Sequence, residues 1–338
     1  MSILINRCTV KMSVCPSIIS YACTAGKKES DGPMANYFDQ IVVDPYFGQK
    51  TFEQGESEML KQTVSLAIQK AGLQTSDINF MFSGDLLNQC IGSTYGIREL
   101  EIPFFGVFGA CSTMAEGLAL ASLFADNNIG RYLLASTSSH FCTAERQFRL
   151  PLEYGGQRTP TAQWTATASG AIVLSPTGAA PFVRAVSAGT IVDLGITDAN
   201  NMGAAMAPAA ASTIKQFLDD TALSPTDFDF IITGDLGKVG SRLLCEILER
   251  DNINIRANHK DCGMMMFDFE KQDVHAGGSG CGCSASILCG YFLDKVKNGE
   301  LKNILFCATG ALMSPTSSQQ GESIPGICHA VWISNSKN

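Results

Sequence analysis

The chain reads as an α/β protein built from two matching βα halves, and three observations carry that reading. Asp77-Ile-Asn-Phe-Met-Phe-Ser-Gly-Asp-Leu86 and Asp227-Phe-Asp-Phe-Ile-Ile-Thr-Gly-Asp-Leu236 share an acidic entry, an apolar run and a Gly-Asp-Leu exit. A Cys-Ser pair, Cys111-Ser112 in one half and Cys283-Ser284 in the other, leads through an apolar helical pattern to a strand, Arg131-Tyr-Leu-Leu-Ala-Ser or Asn303-Ile-Leu-Phe-Cys-Ala. Strands that alternate with helices of about ten or more residues imply parallel sheets covered by helices on both faces. The halves are expected to divide near residue 180, as 1–180 and 181–338.

The elements follow in order. Residues 1–50 hold β-prone pieces, Ser17 to Tyr21 and Ile41 to Val43, around a polar loop, suggesting an entry hairpin and a lead-in arm. Glu53 to Gly72 is helical, with Met59, Leu60, Val64, Leu66, Ala67 and Ala71 near helical spacing and Gly72 as its stop. Its counterpart is Ala209 to Ala222. Both hand over through a polar turn, Gln74-Thr-Ser or Ser224-Pro-Thr, to the repeated strand. Ile102 to Ala125 is a strand, a turn and a buried helix opened by Cys111. Orphan N–H groups and the positive dipole end there would stabilise a thiolate or a bound anion. Phe141 to Ala168 carries Arg146, Arg149, Arg158, Glu153 and Trp164 with little periodicity and reads as an ordered flap over the site. A ligand should sit outside the carboxyl ends of the strands, among Gly84-Asp85, Gly234-Asp235, Ser136 to His140 and Thr309-Gly310.

Composition narrows the function. Apolar residues at 45% and charged residues at 17% of 338 describe a heavily buried protein, and a formal charge of −8 argues against a nucleic-acid partner. Thirteen cysteines, an odd number, several within apolar patterns, fit reduced thiols better than a disulfide framework. His259, Cys262, Cys281 and Cys283 could be drawn as a zinc site, but the Cys-Gly-Cys spacing is unlike the usual ligand pair, and no metal or cofactor is expected. The first apolar run is broken by Arg7, Lys11 and Pro16, so no signal peptide is expected. The most apolar stretch, from Ile102, contains Gly106, Gly109, Ser112, Thr113 and Glu116, so no transmembrane segment is expected either.

A cysteine at a helix start after an apolar strand, Phe105-Gly-Val-Phe-Gly-Ala-Cys111-Ser, in a chain of two matching halves resembles the thiolase and ketoacyl synthase superfamily. That resemblance implies a thiolase-like five-layered αβαβα fold. More closely, Gly32-Pro-Met-Ala-Asn-Tyr-Phe-Asp39, Phe82-Ser-Gly-Asp-Leu86, Gly109-Ala-Cys-Ser-Thr-Met-Ala-Glu-Gly-Leu118, Ser138-Ser-His140, Thr143-Ala-Glu-Arg-Gln-Phe-Arg149 and Gly155-Gly-Gln-Arg-Thr-Pro-Thr-Ala-Gln-Trp-Thr165 are similar to the stage V sporulation protein AD family, essentially end to end. The resemblance implies a peripheral component of the SpoVA channel at the forespore or spore inner membrane. Its implied partners are dipicolinic acid, with calcium only as the ligand's chelate, and the other SpoVA channel membrane proteins. A homodimer through the first-half sheet is common in the superfamily.

Condensing enzymes of the superfamily pair the cysteine with two further groups. Where ketoacyl synthase III enzymes carry His-Gln-Ala-Asn, this chain reads Thr233-Gly-Asp-Leu-Gly237; where they carry Gly-Asn-Thr-Ser, it reads Ala276-Gly-Gly-Ser-Gly-Cys-Gly-Cys-Ser284. The late thiolase cysteine has only Cys307-Ala-Thr-Gly310 to match it, and Cys307 reads as part of a strand. A Cys111–His275 dyad is the remaining catalytic arrangement, and Cys111 otherwise reads as a vestigial nucleophile in a binding pocket. The expected ligand set is Cys111, Ser112, Thr113, Ser138, Ser139, His140, Asp235, His275 and Arg146. Each has a plainer alternative: helix capping for Ser112 and Thr113, a satisfied loop histidine for His275, and ion pairs within the flap for Arg146, Arg149 and Arg158. Asp85 is expected to cap the turn after its strand. The rival functions are an acyl transferase or condensing enzyme using Cys111, and a structural channel subunit with an empty pocket.

Overall fold

The computed structural model describes residues 2–148 and 158–338, so Arg149 and Glu153 of the expected flap lie outside the described residues. Ten strands form the frame: β1 (Ser17–Ala25), β2 (Phe80–Gly84), β3 (Phe104–Gly106), β4 (Leu133–Ser139) and β5 (Ala168–Ser175), then β6 (Phe182–Ser187), β7 (Phe230–Thr233), β8 (His259–Asp261), β9 (Asn303–Ala311) and β10 (Gly326–Ser334). The first five lie in the order β3-β2-β4-β5-β1 and the second five in the order β8-β7-β9-β10-β6, so each strand has its counterpart five places later. The two sets touch edge to edge where Phe182 pairs with Ser17.

Neither sheet is wholly parallel, as alternation had suggested. β2 is parallel to β3 and β4, but β5 runs antiparallel to β4 and β1, and β10 does the same between β9 and β6. The physical reason lies in the connections. A parallel crossover is usually built on a helix lying across the sheet. The segment from β4 to β5 holds a single described helix, Phe141–Phe148, and β9 and β10 are joined by fourteen residues with a five-residue helix, Pro315–Gln319.

The helices are α1 (Phe52–Lys70), α2 (Ile91–Ile97), α3 (Thr113–Asp126), α4 (Phe141–Phe148), α5 (Met202–Thr221), α6 (Gly237–Arg250) and α7 (Cys281–Ile287). Thr51 caps α1 by accepting the Gln54 N–H, and Gly72, at φ +70°, ends it as expected. α5 starts at Met202 and runs through Pro208, seven residues before the expected start. α1 and α2 cover one face of the first sheet, and α5 and α6 cover the second. Between the sheets lie α3 and α7, whose buried side chains Met114, Leu118, Cys283 and Ile287 share one core with Phe82, Leu133, Ile232 and Phe306 of the strands. Every residue of α7 is buried. This is the five-layered α/β arrangement, and its middle layer carries both Cys-Ser pairs.

The repeat extends to single hydrogen bonds. Gln74 N–H donates to Asp77 at 2.8 Å and Ser224 N–H donates to Asp227 at 2.7 Å, so the acidic entry of each repeated strand is a cap on the 3₁₀ turn before it. Among the described residues, no helix is long and apolar enough to cross a membrane.

Candidate functional site

The site forms where the head of α3 meets the mouth of the second sheet. After β3 the chain turns at Ala110, which takes the left-handed conformation at φ +50°, and a 3₁₀ turn, Ala110–Ser112, leads into α3. Gly310 of β9 allows the approach, since a Cβ there would lie 2.4 Å from the Gly109 carbonyl oxygen. Cys111 is thereby placed in the wall of a cavity of about 400 Å³. The cavity's apolar walls are Leu86, Phe108, Ala144, Phe148, Met202, Ala311, Leu312 and Met313; its polar groups are Thr165, Ser279, Ser314, Ser317 and Glu145.

Asp235 lies directly behind Cys111. Its carboxylate accepts from the Gly280 N–H at 2.8 Å, the Ser279 hydroxyl at 3.1 Å and the Thr309 hydroxyl at 3.0 Å, and its charge acts on the Cys111 thiol. One fully buried carboxylate thus ties the end of β7, the glycine-rich turn before α7 and β9 beside the head of α3. Burial first, then the Asp235 charge and the neighbouring Cys281, push the Cys111 thiol well above its ordinary range. Removal from water and the adjacent carboxylate thus favour the thiol, against the direction expected of a thiolate at this helix end. Burial also raises Asp235.

Its repeat partner stays within its own half. Asp85 accepts from the Leu87 N–H at 2.9 Å and from the Ser93 N–H and hydroxyl at 2.7 Å each, capping the turn into α2.

The other expected site residues make internal bonds. The Ser112 hydroxyl donates to Gly109 O at 2.6 Å and the Thr113 hydroxyl to Ala110 O at 2.7 Å, so both brace the turn under Cys111. Ser138 donates to Glu56 at 3.2 Å, and Ser139 donates to Ala166 O at 2.7 Å while accepting the Gly282 N–H. His140 accepts the Cys142 N–H on Nδ1 at 3.2 Å, which leaves the proton on Nε2, 2.8 Å from Pro45 O; burial lowers its basicity. Arg146 is an exposed partner of Glu53, and His275 sits 3.1 Å from Asp273; neither lines the cavity. Of the nine, Cys111 lines the cavity and Asp235 stands behind it. His259 pairs with the Thr233 hydroxyl at 2.8 Å, and no group of three or more metal-ligating side chains is assembled among the described residues.

The expected flap does reach the cavity. Ala144, Glu145 and Phe148 of α4 and Thr165 beyond it form one wall. Arg158 fixes that wall, pairing with Glu145 at 2.8 Å, donating to Gln163 O at 2.8 Å and lying over the stacked rings of Phe141 and Trp164. Phe108, Met202, Met313 and Ser279 were missed by sequence reasoning; they come from separate loops and element ends that share no periodicity.

A duplicated α/β frame with a cysteine at the head of its buried middle helix defines the thiolase-like class. Solved structures agree at the level of fold: 3-oxoacyl-[acyl-carrier-protein] synthase III from Aquifex aeolicus VF5 is 12% identical with a TM-score of 0.58, over 94% of this chain and 99% of that one. OleA from Xanthomonas campestris is 13% identical with a TM-score of 0.59, over 95% and 98%. Within that class, the chain belongs to the stage V sporulation protein AD family, whose model matches residues 6–334. It is 45% identical to stage V sporulation protein AD of Bacillus subtilis (strain 168) over 317 residues, 94% of each chain.

Proposed function

We propose that this chain binds dipicolinic acid (pyridine-2,6-dicarboxylate), alone or as its calcium chelate, in the Cys111 cavity without turning it over. It acts as a peripheral component of the SpoVA channel at the spore inner membrane, in uptake during sporulation and release in germination. The observation that carries the non-catalytic reading is the pairing of Cys111 with Asp235. A nucleophilic thiol needs a neighbour that takes its proton or stabilises the thiolate; here burial and the negative charge of Asp235, whose own oxygens are taken by Gly280, Ser279 and Thr309, both raise the thiol. The cavity suits a flat ring bearing polar ends, with Phe108 and Phe148 among its walls and Thr165, Ser314 and Ser317 among its polar groups.

Calorimetric titration with dipicolinate, with and without calcium and with a pyridine monocarboxylate as control, tests the reading. Saturable binding of the dicarboxylate that an Ala144→Phe substitution abolishes is the expected result. No binding, together with a thioester at Cys111 after incubation with acyl-CoA, would replace it with the acyl-transfer function of the enzymes that share the fold.

The internal repeat favours a homodimer through the first sheet. The outer strand of the second sheet, β8, reads His259-Lys260-Asp261, a charged edge of the kind that resists pairing. The matching strand β3 reads Phe104-Phe105-Gly106, with Phe105 46% and nearby Phe108 51% exposed. A second copy would cover these rings beside the cavity wall. Sedimentation equilibrium should show a dimer that Phe105→Asp converts to monomer; a monomeric parent protein would remove this partner.

A further inference from the structure

The hairpin formed by Ile3–Leu4 and Thr9–Lys11 takes no part in the site. Its second strand pairs with Ala185–Ser187 of β6, and Ser2, before the first strand, donates to Asp126 at 2.7 Å. The first strand stands at a sheet edge, with Ile3 60% and Leu4 62% exposed, and exposed Ile5 follows. Single aliphatic residues on a surface need no explanation, but three in succession on a protruding edge, where charges are the usual guard, do.

Cations surround them. Arg7 is in the hairpin turn, Lys11 faces Ile3 across the pair, and Ile5, Lys11, Arg184 and Trp332 line one groove of about 210 Å³. Lys337 donates to Val14 O at 2.8 Å, which brings it to the same side. Arg184 and Lys337 rest over the rings of Trp332 and Phe182, at 4.5 and 4.9 Å, and Arg184 also donates to Asn338 O at 2.7 Å. The one acid in the groove, Asp220, is engaged by Asn6 at 2.9 Å and Gln216 at 2.6 Å. In a chain of formal charge −8, this is a concentrated basic rim around an apolar tip.

We propose that this hairpin is the edge by which the protein docks on an anionic phospholipid surface. Ile3, Leu4 and Ile5 enter the boundary between headgroups and acyl chains, and Arg7, Lys11 and Lys337 face the phosphates. A strand of another protein is the less fitting occupant, because an edge of two residues offers few ladder bonds, whereas lipid contact needs only the apolar tip and the charges. The inference rests on the peripheral-membrane part of the proposed function and does not depend on dipicolinate binding, since the cavity is built from other elements.

Sedimentation of the full chain with vesicles of phosphatidylglycerol and phosphatidylcholine, against phosphatidylcholine alone, tests it. The parent protein should bind the anionic vesicles and lose affinity as salt is raised. Joint Ile3→Ser, Leu4→Ser and Ile5→Ser substitution should weaken binding at least about ten-fold. Joint Arg7→Gln, Lys11→Gln and Lys337→Gln substitution should weaken it by about 100-fold, at roughly five-fold per charge. Circular dichroism and dipicolinate calorimetry on the same variants separate loss of docking from loss of fold or of the cavity. Parent protein that ignores anionic vesicles, or variants that bind them as the parent does, overturns the proposal and leaves a protein partner for this face.

Discussion

Asp235→Ala is expected to lower the free energy of unfolding by on the order of 3–5 kcal/mol and to abolish ligand binding, while Asp235→Asn retains most of both. The carboxylate is fully buried and accepts from the Gly280 N–H and from the Ser279 and Thr309 hydroxyls. Alanine leaves these donors in a closed space, and a buried donor without a partner costs about 1–3 kcal/mol. It also unties the turn before α7 from β9, so Ser279 loses its anchor at the cavity wall. Asparagine keeps one oxygen for Gly280 and Ser279 and turns an amide toward Thr309, whose hydroxyl can accept as well as donate. Urea unfolding at neutral pH, with dipicolinate calorimetry on both variants, measures the difference. An alanine variant within about 1 kcal/mol of the parent chain would show that water replaces the carboxylate and that Asp235 does not hold the site together.

The contrast between Asp85 and Asp235 shows what was legible in the chain and what was not. Each follows a strand pattern of acid, apolar run, Gly-Asp-Leu, and the first two parts have a local cause: the acid caps a 3₁₀ turn and the run fills a sheet interior, whereas the second aspartate finds its donors close by in the chain only at Asp85, those of Asp235 coming from Ser279, Gly280 and Thr309. Local causes leave local signals, so the repeat, Cys111 at its helix head and the glycine stop of α1 could be read directly. The cavity could not, because Phe108, Phe148, Met202 and Met313 meet only after both sheets have assembled. Ser138, Ser139 and His140 were singled out on a sound premise, that polar groups leaving a buried strand need partners. They have them in Glu56, Ala166 O and Pro45 O, and the premise alone does not distinguish a protein partner from a ligand.

Glu56 is the residue whose signal was present and passed over. It lies on the same helical stripe as Met59, Leu60, Thr63, Val64 and Ala67, all of them buried, so the periodicity of α1 already placed a carboxylate inside. Its position also gives it leverage, because it joins α1 to Ser138 of β4 and to Thr143 of α4, next to the cavity residues Ala144 and Glu145.

Raising the pH from 7 to 8.5 is expected to destabilise the parent chain relative to a Glu56→Gln variant by about 1 kcal/mol or more. Burial, reinforced by the Asp85 charge, pushes Glu56 up to about 8 against the pull of the Thr143 and Ser138 hydroxyls. The bonding pattern agrees with a protonated acid. The Thr143 hydroxyl lies 2.6 Å from Glu56 Oε2 and 2.9 Å from His140 O, yet it has one hydrogen. A protonated Glu56 donates to Thr143, which then donates to His140; an ionised Glu56 competes with His140 for that hydrogen and faces Asp85. Because the folded value lies above the unfolded one, the folded chain holds a proton that the unfolded chain has released. The associated stability is therefore complete below the ordinary glutamate range and is lost as pH rises toward about 8, at about 1.4 kcal/mol per unit. Glu29, raised to about 7, and Asp261, raised to about 6, slope the same way but are present in both proteins and cancel in the comparison. Glutamine reproduces the protonated acid, donating to Thr143 through its amide at every pH. Urea unfolding of both chains at pH 7 and 8.5 decides the matter: parallel losses would mean that Glu56 is already ionised at neutral pH, with Asp85 carrying the proton of the pair.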